Sequence, residues 1–162
     1  MKLKFLLAKS AADIKSVYEY NIDAFSESPD FNWNLDEIQK EIKSGWDLYS
    51  ANINDEVIAA VFLKKDKNTL YSKTTSIQMN FQGSGFSHKI KEFIEDSAKK
   101  MKAKEIINFC GIDNFRMYSL NESHGYQKTG RKLGDNGQVV EWKKLVKWSR
   151  SLEKFTKLLN SF

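Results

Sequence analysis

The stretch Ile77-Gln78-Met79-Asn80-Phe81-Gln82-Gly83-Ser84-Gly85-Phe86-Ser87 decides how this chain is read. An apolar, β-like run ends there in two closely spaced glycines, and a helical pattern follows at once. Glycine at such a junction lets the backbone turn sharply, and lets a ligand approach the N–H groups without meeting a Cβ. The helix that follows points its unpaired N–H groups and the positive end of its dipole at the same place. Together these features make a phosphate or pyrophosphate site, although many α/β turns use glycine for geometry alone. Two familiar phosphate loops are excluded. The pattern G-x-x-x-x-G-K-[ST] is absent, because Phe86 and Ser87 follow Gly85 with no lysine, and G-x-G-x-x-G fails at His88.

Working outward, Leu3 to Ala8 reads as a first strand. Ser10 and Asp13 then form an N-capping pair ahead of Ile14, Val17, Tyr18, Asn21 and Phe25 at helical spacing. Ser26 to Asn32 breaks that pattern. Asn34 with Glu37 opens a second helix carrying Leu35, Ile38 and Ile42 on one face, and Gly45 ends it. Asp47 to Ile53 and Val57 to Leu63 form a hairpin around Asn54-Asp55, and Thr69 to Met79 reads as the third strand of a meander. After the glycine turn, Ile90, Phe93, Ile94, Ser97 and Met101 mark a helix stripe. Ile106 to Cys110 is a short buried strand, and Asn114 to His124 a short helix ended by Gly125. Tyr126 to Arg131 and Val139 to Leu145 are terminal strands around Gly134-Asp135-Asn136-Gly137. The order β-α-α-β-β-β-α-β-α-β-β predicts an α/β (α+β) fold, a mixed and largely antiparallel sheet with helices on both faces.

The glycine turn follows Q-x-x-G-x-[GA], with Gln82 first and Gly85 fourth, departing at the last place, where Ser87 stands instead of glycine or alanine. That motif and the element order over residues 3 to 145 resemble the GNAT superfamily of acetyl-CoA-dependent N-acetyltransferases. A second match is Asn114 after the strand that follows the loop helix, then a short helix ending in Gly125-Tyr126. The resemblance implies acetyl-CoA as acyl donor, with no metal, and a primary amine of a small molecule or protein that attacks directly in a ternary complex. It implies that Gln82, Gly83, Ser84, Gly85, Phe86 and Ser87 cradle the pyrophosphate. Thr75, Ser76 and Ile77 would pair with the pantetheine arm like an added strand, and Asn114 would lie near the cofactor; its other reading is an N-cap. Splaying of the third strand from Ile106 to Cys110 would open the slot.

Catalytic residues are less legible. Many family members place a tyrosine four residues before the helix-ending glycine, where its hydroxyl protonates the coenzyme thiolate. Asn121 stands there, and an amide donates a hydrogen bond but gives up no proton at useful pH. Tyr118, one turn earlier, shares the helix face and is the other candidate acid, unless it serves packing. Thr69 to Met79 contains no Asp or Glu, so a base comes from water or from the 25–33 loop, such as Glu27 or Asp30. His88 and His124 show no carboxylate partner and no ligand spacing, which argues against metal. These departures give the alternative of a GNAT-fold acyl-CoA-binding or regulatory module with little catalysis.

Composition bounds the rest. The chain has 162 residues, about one domain, with 41% hydrophobic and 13% aromatic content, one proline and no internal repeat. The single cysteine, Cys110, excludes an intrachain disulfide and a cysteine-based zinc cluster. Phe5-Leu6-Leu7-Ala8 is too short for a signal h-region, and no apolar run reaches a membrane span, so the expected compartment is the cytoplasm. The net charge of +5 lies entirely in residues 143 to 162, with six basic residues and Glu153. Leu145, Trp148, Leu152, Phe155, Leu159 and Phe162 form one stripe if that segment is helical from about Lys144. The domain is expected to span 1–145, with 146–162 an amphipathic helix packed on it or on a twin subunit. Nucleic acid is the weakest partner class, since basic charge comes without base-reading motifs. Phe25, Phe31 and Trp33 form an aromatic wall for an acceptor or anchor their loop to the core.

Overall fold

The computed structural model describes residues 2–20, 34–147 and 157–161. Its elements follow the expected order: β1 (Lys4–Leu7), α1 (Ala11–Tyr20), α2 (Leu35–Lys43), β2 (Asp47–Ile53), β3 (Glu56–Asp66), β4 (Thr69–Thr74), α3 (Phe86–Lys100), β5 (Glu105–Gly111), α4 (Phe115–Ser123), β6 (Gln127–Leu133) and β7 (Val139–Leu145). A 3-10 turn at Met79–Phe81 lies between β4 and α3. Local chemistry places the helix starts. Ser10 Oγ accepts the N–H of Asp13 at 3.1 Å while the Asp13 carboxylate accepts the N–H of Ser10 at 3.2 Å. Asn34 Oδ1 caps α2 by accepting the N–H of Glu37 at 2.9 Å.

The seven strands lie in the order β1-β2-β3-β4-β5-β7-β6, antiparallel throughout except for the β4–β5 pair. Helix α3 packs its Ile90, Ile94 and Ala98 on one face, against Val61, Leu70, Ile106 and Trp142 among others. Ile14 and Val17 of α1 and Ile38 of α2 cover the other face over Leu48, Ala60 and Phe62. Strand β3 is therefore buried on both sides, which is why Val57 to Leu63 is a continuous apolar run rather than an alternating one.

Two expectations are corrected. The third strand stops at Thr74, not Met79. There the Thr75 hydroxyl accepts the N–H of Ala60 at 2.8 Å and displaces the regular ladder. The chain stays beside β3 through two further backbone bonds, Thr75 N–H to Ala60 O and Gln78 N–H to Ile58 O. The C-terminal stripe does not begin as a helix at Lys144: β7 runs to Leu145, with Lys144 opposite Ile106, and Val146 N–H still bonds Lys104 O. A helical turn at 157–159 is present, with Leu158 and Leu159 exposed. The rest of the stripe, from Trp148 to Phe155 and at Phe162, lies outside the described residues, as do Glu27, Asp30, Phe25, Phe31 and Trp33. No helix among the described residues is long and apolar enough to cross a membrane.

Candidate cofactor and active site

The parallel β4–β5 ladder ends at Ser72 opposite Asn108. Beyond it the strands part, because each follows its other neighbour. Strand β4 and its extension stay on β3, while β5 stays on β7 up to Gly111 opposite Val139. The pairing of β4 with β5 thus ends in the middle of the sheet, within the stretch from Ile106 to Cys110 where a splay was expected. On the β4 side, Thr75 is engaged with Ala60 by both N–H and hydroxyl. The N–H groups of Ser76 and Ile77 meet no acceptor among the described residues. Of the three expected pantetheine partners, these two carry available donors.

The glycine turn follows. Gly83 and Gly85 have φ of +77° and +80°, a left-handed conformation that side-chain-bearing residues rarely adopt, and Gly85 caps α3. A Cβ on either would meet no protein atom within 4 Å, so the space over the turn is open. The first bond closing α3 runs from Lys89 N–H to Gly85 O. The backbone N–H groups of residues 83 to 88 therefore meet no acceptor among the described residues. A run of unpaired N–H groups at a helix start attracts an anion through both hydrogen bonding and the dipole. Gln82 bridges the two parts of the site, donating from Nε2 to Ile77 O at 2.8 Å and accepting from Arg116 Nη1 at 3.3 Å. Arg116, from the first turn of α4, was not singled out from sequence; an arginine five residues before Asn121 carries no local signal.

Helix α4 reaches the glycine turn through Arg116. Asn114 caps it, its Oδ1 accepting the N–H of Met117 at 3.2 Å. Tyr118 is half-buried and meets Phe115 and Trp142 edge to face, at ring-centroid distances of 5.7 and 5.2 Å. The Lys128 ammonium lies 4.3 Å from the centre of the Tyr118 ring. Burial, then the Cys110 and Asp113 charges, push the Tyr118 phenol up, so its hydroxyl remains a proton-bearing donor.

Asn121 is fully enclosed. Its Oδ1 accepts from Lys91 Nζ at 2.6 Å and from Asn108 Nδ2 at 3.1 Å, and its Nδ2 donates to Asn108 Oδ1 at 3.2 Å. An amide so enclosed and bonded ties α4 to α3 and β5. Lys91 is itself buried, 4.2 Å over the Tyr126 ring, and its ammonium is pushed down to about 7, chiefly by burial.

The histidines correct a third expectation. His88 Nδ1 and His124 Nε2 lie 2.9 Å apart, and His124 Nδ1 lies 3.2 Å from Glu95 Oε1, so each has a partner that sequence spacing did not reveal. No group of three or more His, Cys, Asp or Glu among the described residues is placed to hold a metal ion. A carboxylate is also present where the third strand had none. Glu141 of β7 is buried and stands opposite Phe109, the first β5 residue past the end of the β4–β5 ladder. Its neighbours Val140 and Trp142 face the α3 side, so by strand alternation Glu141 faces the α1–α2 side. Thr129 Oγ1 donates to it at 3.0 Å and Arg131 lies at 3.6 Å.

No protein-family model and no curated protein matches the sequence. Solved structures do match in shape. The ribosomal-protein-S18-alanine N-acetyltransferase from Escherichia coli superposes with a TM-score of 0.72 at 11% identity, over 91% of this chain and 96% of that one. A Bacillus subtilis acetyltransferase in complex with CoA gives 0.68 at 19% identity, over 90% and 100%. A GNAT family acetyltransferase from Elizabethkingia anophelis with acetyl-CoA bound gives 0.68 at 16%, over 88% and 97%. The chain has the GNAT fold.

Proposed function

We propose that this protein is an acetyl-CoA-dependent N-acetyltransferase that passes the acetyl group to a primary amine by direct attack in a ternary complex. The observation that carries the reading is a run of unpaired backbone donors beside the end of the β4–β5 pairing. It comprises the N–H groups of Ser76 and Ile77 and those of residues 83 to 88. That run suits an elongated ligand with a pantetheine arm and a pyrophosphate, and neighbours of this fold hold CoA or acetyl-CoA. In this reading residues Gln82 to Ser87 hold the pyrophosphate, with Arg116 adding a positive charge beside Gln82. Ser76 and Ile77 pair with the arm, and Asn114 acts through α4, which it caps.

Acetyl-CoA, when bound, supplies an activated thioester. The amine nitrogen bonds the acetyl carbon as the carbon–sulfur bond breaks. The departing sulfur takes up a proton, for which the Tyr118 hydroxyl is the donor on α4. Glu141 is the carboxylate on the acceptor face, one strand from the end of the β4–β5 pairing, that would take the amine's proton directly or through water. Arg116→Ala should weaken acetyl-CoA about tenfold, with the loss growing as salt is lowered, by calorimetric titration. Tyr118→Phe should lower kcat about 100-fold with the KM for acetyl-CoA unchanged.

The enclosure of Asn121 favours a second reading, an acyl-CoA-binding module with little catalysis, because the family's acid position has become structural here. Incubation with acetyl-CoA and a panel of primary amines, read by free-thiol release, separates the two. Thiol release dependent on an amine supports transfer, and coenzyme binding without release supports the module.

A further inference from the structure

The outward face of α3 and the end of α4 carry a group of side chains that the acetyl-transfer reading does not use. His88 stands in the first turn of α3 and is exposed; His124 is the C-cap of α4 with a side chain only 13% exposed. Glu95 Oε1 lies 3.2 Å from His124 Nδ1 and accepts from Lys144 Nζ at 3.0 Å. An ionised carboxylate is an acceptor, so the proton between it and His124 belongs to Nδ1. The tautomer leaves the lone pair of His124 Nε2 pointing at His88 Nδ1, 2.9 Å away. Ring centroids 5.1 Å apart, with that nitrogen separation, put the two rings nitrogen to nitrogen rather than face to face.

We propose that His88 Nδ1 and His124 Nε2 form a two-imidazole site for a divalent transition-metal ion, Cu²⁺, Ni²⁺ or Zn²⁺, that clips α3 to α4. Imidazole nitrogens suit these ions, and a carboxylate on the far nitrogen of a ligating histidine orients the ring and raises its basicity. Metal–nitrogen bonds of about 2.0–2.1 Å at a tetrahedral ion need the nitrogens about 3.3–3.4 Å apart, a few tenths more than now, and the rings turned so that both lone pairs leave the line joining the nitrogens. The exposed His88 ring supplies that movement. On binding, two metal–nitrogen bonds form. The hydrogen on His88 Nδ1 leaves to solvent and His88 Nε2 takes one up, so both rings stay neutral and no net proton is released. Water completes the coordination, since two protein ligands are fewer than a closed structural site uses. Lys144 bonds the Glu95 carboxylate and not the imidazoles, so both ring nitrogens remain open to the ion.

The site uses the imidazoles and not the backbone N–H run, and it is tested without acetyl transfer. Untagged full-length protein is titrated with NiCl₂, CuCl₂ and ZnCl₂ by calorimetry, and its copper form is read by electron paramagnetic resonance. One equivalent of each ion should bind, tightest for copper, with nitrogen hyperfine structure from two imidazoles and a raised melting temperature. His88→Gln, an exposed replacement with little bearing on the fold, should lower affinity at least tenfold, and Glu95→Gln about 10- to 100-fold. Absence of saturable binding up to millimolar ion overturns the proposal. So does one-equivalent binding that His88→Gln leaves unchanged, because the ion then sits elsewhere.

Discussion

Gly85→Val is expected to weaken acetyl-CoA binding by about 100-fold or more, close to 3 kcal/mol, in a protein that still folds. Gly85 sits at φ +80° with open space where a Cβ would project. Valine there bears a left-handed backbone penalty of about 1–2 kcal/mol and places two methyl groups over the N–H run that would meet the pyrophosphate. Gly85→Asn separates the two effects, since asparagine tolerates the left-handed region. It should keep the melting temperature near that of the parent while still losing affinity. Retained affinity in a folded Gly85→Asn or Gly85→Val protein would make the turn a purely structural device.

Lys91→Met should stabilise the protein at neutral pH, by about 1–4 kcal/mol in denaturant titrations. Burial lowers the Lys91 ammonium from 10.5 to about 7, with Glu95 and Cys110 opposing and Lys144 assisting that shift. Between those two values the unfolded chain holds a proton that the folded chain lacks, so stability rises with pH across the window. The cost of the lysine is therefore greatest at pH 7 and below, and fades as pH approaches 10.5. The advantage of Lys91→Met should shrink over the same interval. At the alkaline end it should reverse slightly, because methionine cannot donate to Asn121 Oδ1 as a neutral amine can. A variant less stable than the parent at pH 7 would show that the Tyr126 face and Asn121 hold the ammonium better than burial penalises it.

What the sequence discloses and what it conceals divide by the range of the interactions. Ser10 with Asp13 and Asn34 with Glu37 announce helix starts because a cap is completed within four residues. The glycine turn is legible for the same reason: its positive φ values demand glycine locally. The premature end of β4 is not, since it depends on Thr75 taking the N–H of Ala60, fifteen residues away. Neither is the enclosure of Asn121, which depends on Lys91 and Asn108 meeting it from two other elements. The histidine pair spans 36 positions, and Glu141 becomes a site candidate only once β7 is inserted between β5 and β6. Leu145 fits an apolar helical stripe as well as a strand end, and pairing with Glu105 decides for the strand.

Calorimetric titration of the unmodified protein with acetyl-CoA is the most direct test of the donor run and glycine turn as one binding site. Saturable binding at one equivalent, in the micromolar range and weakened by salt, is the predicted result. No heat and no thermal shift at millimolar acetyl-CoA would contradict it.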